Sequence, residues 1–221
     1  MHRGYSGGVR LLLDLDNTLV DRDGAFTRWA EEFVSSMGGD RDDVDWLVAQ
    51  DMGGYRARAE LAVDIIDRFG CTQSPESLVS AMRDGVVTHT RCYGNVLSEL
   101  RLLKNAGAAL VIVTNGNTVQ QKRKITASGL DTLIDAALIS EEVGAKKPDR
   151  LIFESALRYG SGTAVPWMVG DHPIADMSGA RAAGISTAWV SHSRPWSPTW
   201  TPDITETTPS EVLAAVRRAR F

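Results

Sequence analysis

The chain has 221 residues, 43% of them hydrophobic, and 24 Lys or Arg against 28 Asp or Glu for a net charge of −4. That is ample apolar material for one domain, or for a core carrying a smaller inserted one, and the acidic balance provides no basic stripe of the kind nucleic acid requires. No apolar run approaches the ~20 residues a membrane helix needs, the opening MHRGYSGG has no apolar core of a secretory signal, and Cys71 and Cys92 read as reduced thiols of a cytoplasmic protein.

The first element is an apolar run over residues 9–13, broken only by Arg10 and ending in Asp14-Leu15-Asp16-Asn17-Thr18. Such a run is the pattern of a parallel strand covered on both faces, and ligands of such sheets sit at the carboxyl ends of strands. Residues i and i+2 of a strand point the same way, so Asp14 and Asp16 are expected side by side at its tip. Residues 22–91 then read as wholly helical. Phe26, Trp29, Ala30, Phe33, Val34 and Met37 make one amphipathic stripe, closed by Gly38 and Gly39. A short segment covers 44–48, a flexible joint covers 51–54, and a helix over 55–69 carries Ala57, Leu61, Ile65 and Phe69. Ser74 and Pro75 open another helix, with Leu78, Val79, Met82 and Val86 inward. About 70 residues are too many for a single crossover, so 22–91 is expected to be a helical lid inserted in a core of 1–21 and 92–221. Gly24 and Gly94 are the expected hinge residues.

Beyond Gly94 helix and strand alternate. Helical stripes fall at 96–103, 118–128, 148–159 and 175–183, and strands at 108–113, 136–139, 167–169 and 187–190, the pattern of a doubly wound parallel sheet. The Pro-, Ser-, Thr- and Trp-rich stretch 191–209 reads as a packed loop, with Trp196 and Trp200 as packing residues, and Pro209 and Ser210 open a basic final helix.

The strand tips carry the chemistry. The second ends in Thr114-Asn115-Gly116 and the fourth in Gly170-Asp171, with Asp176 a helical turn further on; Lys146-Lys147-Pro148 stands at a helix start between them. Hydroxyl and backbone N–H groups suit phosphate oxygens, lysine supplies a point charge, and converging carboxylates suit a hard cation. Each part alone is commonplace; four in order at successive tips are hard to obtain by chance.

These motifs resemble the haloacid dehalogenase superfamily, in its phosphatase branch with an α-helical cap after the first strand. DxDxT matches Asp14, Asp16 and Thr18; the Thr of the second motif matches Thr114; the Lys before Pro matches Lys147 in preference to Lys146; GDxxxxD matches Gly170, Asp171 and Asp176. The resemblance implies a Rossmann-like core and Mg²⁺-dependent hydrolysis of a small phosphorylated metabolite through an aspartyl-phosphate. In that scheme Asp14 is the nucleophile and Asp16 the general acid/base. The metal is held by Asp14, Asp171 and the backbone carbonyl of Asp16. Thr114, Lys147 and the backbone N–H groups of Leu15, Asn115 and Gly116 hold the phosphate, and Asp176 orients Lys147 or the metal shell.

Alternatives within the same resemblance are a phosphomutase, a 2-haloacid dehalogenase and a non-catalytic phosphate-binding protein. The second aspartate speaks against the dehalogenase, because a departing halide needs no proton. The single histidine of the helical block, His89, speaks against the mutase. A two-component receiver domain shares the acidic pair but is shorter and lacks the insertion. Arg22, Tyr55, Arg56 and Arg58 are the candidates for choosing the leaving group, and His172, an unusual residue after Asp171, is read as a satisfied loop residue. No membrane or nucleic-acid partner is expected, and the chain is read as a monomer or homodimer.

Overall fold

A computed structural model of the protein describes residues 8–160 and 164–221, so the opening residues 1–7, read above for a signal, lie outside it. The first strand, β1 (Arg10–Leu13), buries Leu11, Leu12 and Leu13 completely. Four helices follow: α1 (Arg22–Ser36), α2 (Arg41–Asp51), α3 (Arg58–Phe69) and α4 (Pro75–His89). The chain then alternates: α5 (Val96–Asn105), β2 (Ala109–Thr114), α6 (Thr118–Ala127), β3 (Ala136–Ile139), α7 (Ser140–Val143), α8 (Arg150–Ala156), β4 (Trp167–Gly170), a π-helical turn (Pro173–Ser178), α9 (Gly179–Ala182), β5 (Ser186–Val190), β6 (Ile204–Glu206) and α10 (Pro209–Arg220).

The six strands form one parallel sheet in the order β3-β2-β1-β4-β5-β6. Strand order reverses at β1, the switch point at which doubly wound sheets bind their ligands. Leu11 and Leu13 pack on one face with Val96, Leu100 and Leu103 of α5 and Val212, Leu213 and Val216 of α10. Leu12, Val111 and Val113 pack on the other with Ile152 and Phe153 of α8 and Ala180 of α9. Helices on both faces explain the unbroken apolar run of β1, and each fully buried Leu contributes about 1.5–3 kcal/mol. The fold is a Rossmann-like α/β core with a helical insertion.

The chain divides into two compact units, one of residues 1–20 with 92–221 and one of Asp21–Arg91. The core's two cut ends meet in an antiparallel bridge, Val20 to Cys92. In the helical unit, Phe26, Leu47, Leu61, Ile65, Leu78 and Met82 are buried together. A Cβ on Gly85 would lie 2.0 Å from Cδ1 of Trp29, so only glycine lets α4 lie this close to α1.

Several elements depart from expectation. The segment at 44–48 is part of a full helix, α2, started by a capping box of Asp40 with Asp43. The 51–54 joint is a 3₁₀ turn at Met52–Gly54, and α3 starts at Arg58 rather than 55. Gly24, expected in a connection, lies in the first turn of α1, and its N–H donates to Asp21 Oδ1 at 2.9 Å. The helix expected at 148–159 spans only Arg150–Ala156. The helix expected at 175–183 is the π-helical turn followed by α9. The stretch 191–209 contains β6, whose register on β5 is pinned by Thr187 N–H donating to Asp203 Oδ2 (2.7 Å) and Asp203 N–H donating to Thr187 Oγ1 (3.1 Å).

Candidate active site

The tip of β1 is tied to β4 where Asp14 N–H donates to the Val169 carbonyl at 2.9 Å. Asp14 is buried. Its Oδ1 accepts from Lys147 Nζ at 2.5 Å and its Oδ2 from Thr18 Oγ1 at 3.0 Å. Lys147 is itself 4% exposed and stands 2.7 Å from Asp176 Oδ1, so one ammonium serves two carboxylates. Asn115 fixes the lysine's backbone: its Nδ2 donates to Lys147 O (3.0 Å) and its Oδ1 accepts from Lys147 N–H (2.8 Å).

Asp176 reaches this centre from the π-helical turn, where His172 N–H donates to its Oδ2 at 3.0 Å. Its buried Oδ1 receives no well-directed hydrogen bond despite the lysine beside it. A Cβ on Gly170 would stand 2.4 Å from Asp176 Oδ2, so the glycine is what admits this carboxylate beside the strand. His172 Nδ1 accepts from the N–H groups of Ile174 (3.1 Å) and Ala175 (3.0 Å), the capping role of a satisfied loop residue. Asp171 Oδ2 accepts from Arg194 Nη2 at 3.0 Å, and its carbonyl from Arg194 Nη2 (2.8 Å) and Trp189 Nε1 (2.9 Å).

Asp14, Asp171 and Asp176 each place a carboxylate oxygen within 4.8 Å of the others, a group able to hold a metal ion. Asp16 places no side-chain oxygen in that group; the ligand expected of it was its backbone carbonyl. Burial, helped by the Asp176 and Asp16 charges and opposed by Lys147, pushes the Asp14 carboxyl up to about 7. Burial and the Asp14 and Asp176 charges push Asp171 up to about 8, against Arg194. Burial works to lower Lys147, but the Asp14 and Asp176 charges outweigh it and raise its ammonium above the ordinary range. Carboxyls that resist ionisation beside each other are a site short of positive charge, and the all-oxygen donor set suits a hard cation.

Asp16 has a separate setting. Lys124 Nζ lies 2.8 Å from both of its carboxylate oxygens, and Gln121 Nε2 donates to its Oδ2 at 2.9 Å. Gln121 Nε2 also lies 2.7 Å from Thr114 Oγ1 and 3.3 Å from Asn115 O. Lys124, Gln121, Arg194 and the Asn115 clamp escaped the sequence reading. Gly116 differs from expectation, since its N–H donates to Ser140 Oγ at 2.9 Å.

In the helical unit, Arg22 pairs with Asp51, donating to its Oδ1 at 2.8 Å, and Arg58 Nη1 reaches the same oxygen at 2.5 Å. Both guanidiniums lie over the Phe26 ring, at 5.0 and 5.5 Å from its centroid. Burial pushes the Asp51 carboxyl up, but Arg22 and Arg58 outweigh it and hold it below the ordinary range. Arg56 bonds Gln50 and Asp64. These three arginines are thus engaged inside their own unit, while Tyr55 is 70% exposed.

Carboxylates and lysines gathered near adjacent tips of a doubly wound parallel sheet form a site able to hold a hard cation beside an anion. The chain belongs to the haloacid dehalogenase-like hydrolase family, whose model matches residues 11–190. It is 40% identical over 103 residues to a phosphoserine phosphatase of Thermus thermophilus, covering 46% of this chain and 41% of the relative. It is 30% identical over 162 residues to a glyceraldehyde 3-phosphate phosphatase of Methanopyrus kandleri, covering 69% of this chain and 70% of the relative. The fold is shared with a magnesium-bound HAD-hydrolase of Bacillus subtilis at a TM-score of 0.78 and 19% identity, covering 96% of this chain and 99% of that one.

Proposed function

We propose that the protein is a Mg²⁺-dependent phosphatase that hydrolyses small phosphate monoesters by way of an aspartyl-phosphate on Asp14. The relatives' action on phosphoserine and glyceraldehyde 3-phosphate supports the substrate class. The observation that carries the mechanism is the split environment of the two aspartates: Asp14 buried against Lys147, Asp16 on a lysine of its own. A nucleophile and a proton carrier need different surroundings: Asp14, whose ionisation burial opposes, becomes an ionised nucleophile when a dication supplies the missing positive charge, while the Asp16 carboxyl is held apart from that centre. A dehalogenase has no use for the second.

Asp14 attacks phosphorus and the P–O bond to the leaving group breaks. Asp16, carrying a proton on one oxygen with Lys124 on the other, gives it to the departing alkoxide, then takes one from the water that cleaves the aspartyl-phosphate, so that Asp14 is regenerated and inorganic phosphate leaves. Thr114, Lys147 and the backbone N–H groups of Leu15 and Asn115 hold the phosphate oxygens. Thr18 and Lys147 aim the nucleophile by fixing one carboxylate oxygen each. Asp14, Asp171 and the carbonyl of Asp16 would hold Mg²⁺, with Asp176 acting through Lys147. The ion supplies charge neutralisation for the transferring phosphoryl group. Four carboxylates (Asp14, Asp16, Asp171, Asp176) face three cations (Lys124, Lys147, Arg194), and the surplus negative charge supports a dication there. Substrate choice is assigned to the helical unit, residues 22–91, where Tyr55 is the candidate left most exposed.

Phosphate release from 4-nitrophenyl phosphate and a panel of monoesters tests the proposal. Activity should vanish with chelator, return with Mg²⁺, and be absent in Asp14→Asn. Turnover that ignores the chelator, or survives in Asp14→Asn, would overturn it. Isomerisation of hexose 1-phosphates without phosphate release would make the protein a mutase instead.

A further inference from the structure

We infer that Lys124 and Gln121 are positioning residues that hold Asp16 in its working place and lock it to the phosphate-holding Thr114. This inference rests on the phosphatase reading of Asp16. Both residues lie on α6 three positions apart, so their side chains leave the same helix face. Both are almost fully buried, Gln121 at 2% and Lys124 at 3% exposure. A lysine ordinarily keeps its ammonium in water, and burying one is costly unless it is paired and hydrogen-bonded. Here the ammonium sits 2.8 Å from each oxygen of Asp16. Lys124 pairs with Asp16, whereas Lys147 is divided between Asp14 and Asp176.

That division has a mechanical consequence. Asp16 follows Asp14 by two residues and lies beside a crowded set of charges. Without a counter-ion from another direction, its carboxylate is drawn to the Lys147 ammonium, where it competes with the nucleophile. Lys124 holds the ionised carboxylate from the α6 side through both oxygens, and keeps it in place through one of them when the other carries the proton. Gln121 adds the spacing. Its single Nε2 bridges Asp16 Oδ2 (2.9 Å) and Thr114 Oγ1 (2.7 Å), joining the tip of β1 to the tip of β2. The side chain is seated against Gly116, where a Cβ would lie 3.2 Å from Gln121 Cγ. The group that handles the leaving oxygen and the hydroxyl that handles the phosphate are thereby set at one fixed separation.

The test compares Lys124→Met, Lys124→Arg and Gln121→Ala with wild type and Asp16→Ala, using glycerol phosphate, whose alkoxide needs a proton to leave, and 4-nitrophenyl phosphate, whose phenolate does not. For Lys124→Met, kcat/KM on glycerol phosphate should fall about 100-fold, while on the aryl ester it stays within about 5-fold because no acid is needed for the first step. On the aryl ester kcat and KM should fall together, with a stoichiometric burst of nitrophenolate and phosphate accumulating on Asp14, because the attacking water has lost its base. Lys124→Arg should recover most of the loss. Gln121→Ala should show the same leaving-group dependence, about 10-fold in size, and weaker inhibition by inorganic phosphate. Equal losses on both esters, a change in KM alone, or an Arg variant no better than Met would overturn the inference; if Lys124→Met does not fold, Gln121→Ala and Lys124→Arg decide it by the same ratio of esters. A wild type that cleaves neither ester would instead overturn the phosphatase reading. Leaving-group dependence in Asp16→Ala without it in the Lys124 and Gln121 variants would overturn this inference alone.

Discussion

Loading the site with Mg²⁺ should expel protons. In the metal-free protein the Asp14 carboxyl stands at about 7 and Asp171 at about 8, against an ordinary 3.8. Both must be ionised to hold a dication. Treated as independent groups, the two carry about 1.7 protons together at pH 6.5 and about 0.1 at pH 9; because they interact, the sum belongs to the pair rather than to either residue. Titrating Mg²⁺ calorimetrically at pH 6.5 in buffers of different ionisation enthalpy should therefore give a slope of between one and two protons released, shrinking towards zero at pH 9. The stability linkage has a matching sign. A carboxyl raised in the folded state contributes stability that is fully present below its unfolded value and is lost as pH climbs through the folded one. The metal-free protein should thus lose stability between about pH 4 and pH 8, on the order of several kcal/mol across the pair, while the Mg²⁺-induced rise in Tm grows through the same window. Lys147 does not disturb this, since a raised lysine loses its contribution only at higher pH. A buffer-independent heat at pH 6.5, or metal-free stability that rises with pH through this window, would refute the assignment of Asp14 and Asp171 as neighbouring metal ligands.

Gly170→Ala places a methyl 2.4 Å from the Asp176 carboxylate, so it should cost about 1–3 kcal/mol in denaturant unfolding and weaken Mg²⁺ binding through Lys147. Asp51→Ala leaves two partly or fully buried guanidiniums without their shared carboxylate, and should destabilise the helical unit by about 3–5 kcal/mol, read as faster amide exchange in α1–α3 with exchange in the parallel sheet unchanged. Tyr55→Ala should alter preference among bulky monoesters much more than turnover of acetyl phosphate, with the same Mg²⁺ dependence as wild type. Identical relative rates across a substrate panel would remove Tyr55 from substrate selection.

The sheet was legible in the sequence because parallel strands buried on both faces appear as short unbroken apolar runs, and the residues just past those runs lie at the tips. Asp14, Thr114 and Asp171 could be found that way, and Lys147 and Asp176 from the Lys-Pro and GDxxxxD patterns between and after them. Lys124 and Gln121 could not. They sit in QQKRK, the most polar stretch of α6, and what buries the lysine is Asp16, 108 positions earlier in the chain. Arg194 was hidden for a similar reason, because it lies in a loop with no periodicity and its partner Asp171 follows the neighbouring strand β4, 23 positions earlier. The strand β6 is only three residues long and owes its place to pairing with β5 rather than to any pattern of its own. The π-helical turn looked like an ordinary helix because apolar spacing over six residues does not distinguish wider winding. The arginines 22, 56 and 58 looked available because a sequence does not show which carboxylates a helical unit will spend on them.

The bridge between Val20 and Cys92 bears on how such a chain can change over evolutionary time. Because the two cut ends of the core are pinned to each other, whatever runs between them is a closed excursion, and closing a longer excursion costs only slowly more entropy. Exchange of the 71 residues from Asp21 to Arg91 for another segment should therefore leave the sheet's register and the strand tips in place. Grafting a different helical segment, or a short turn, onto this pair of residues should yield a core that still folds, so the junction works as a fixed socket that tolerates exchange of whatever runs between its ends.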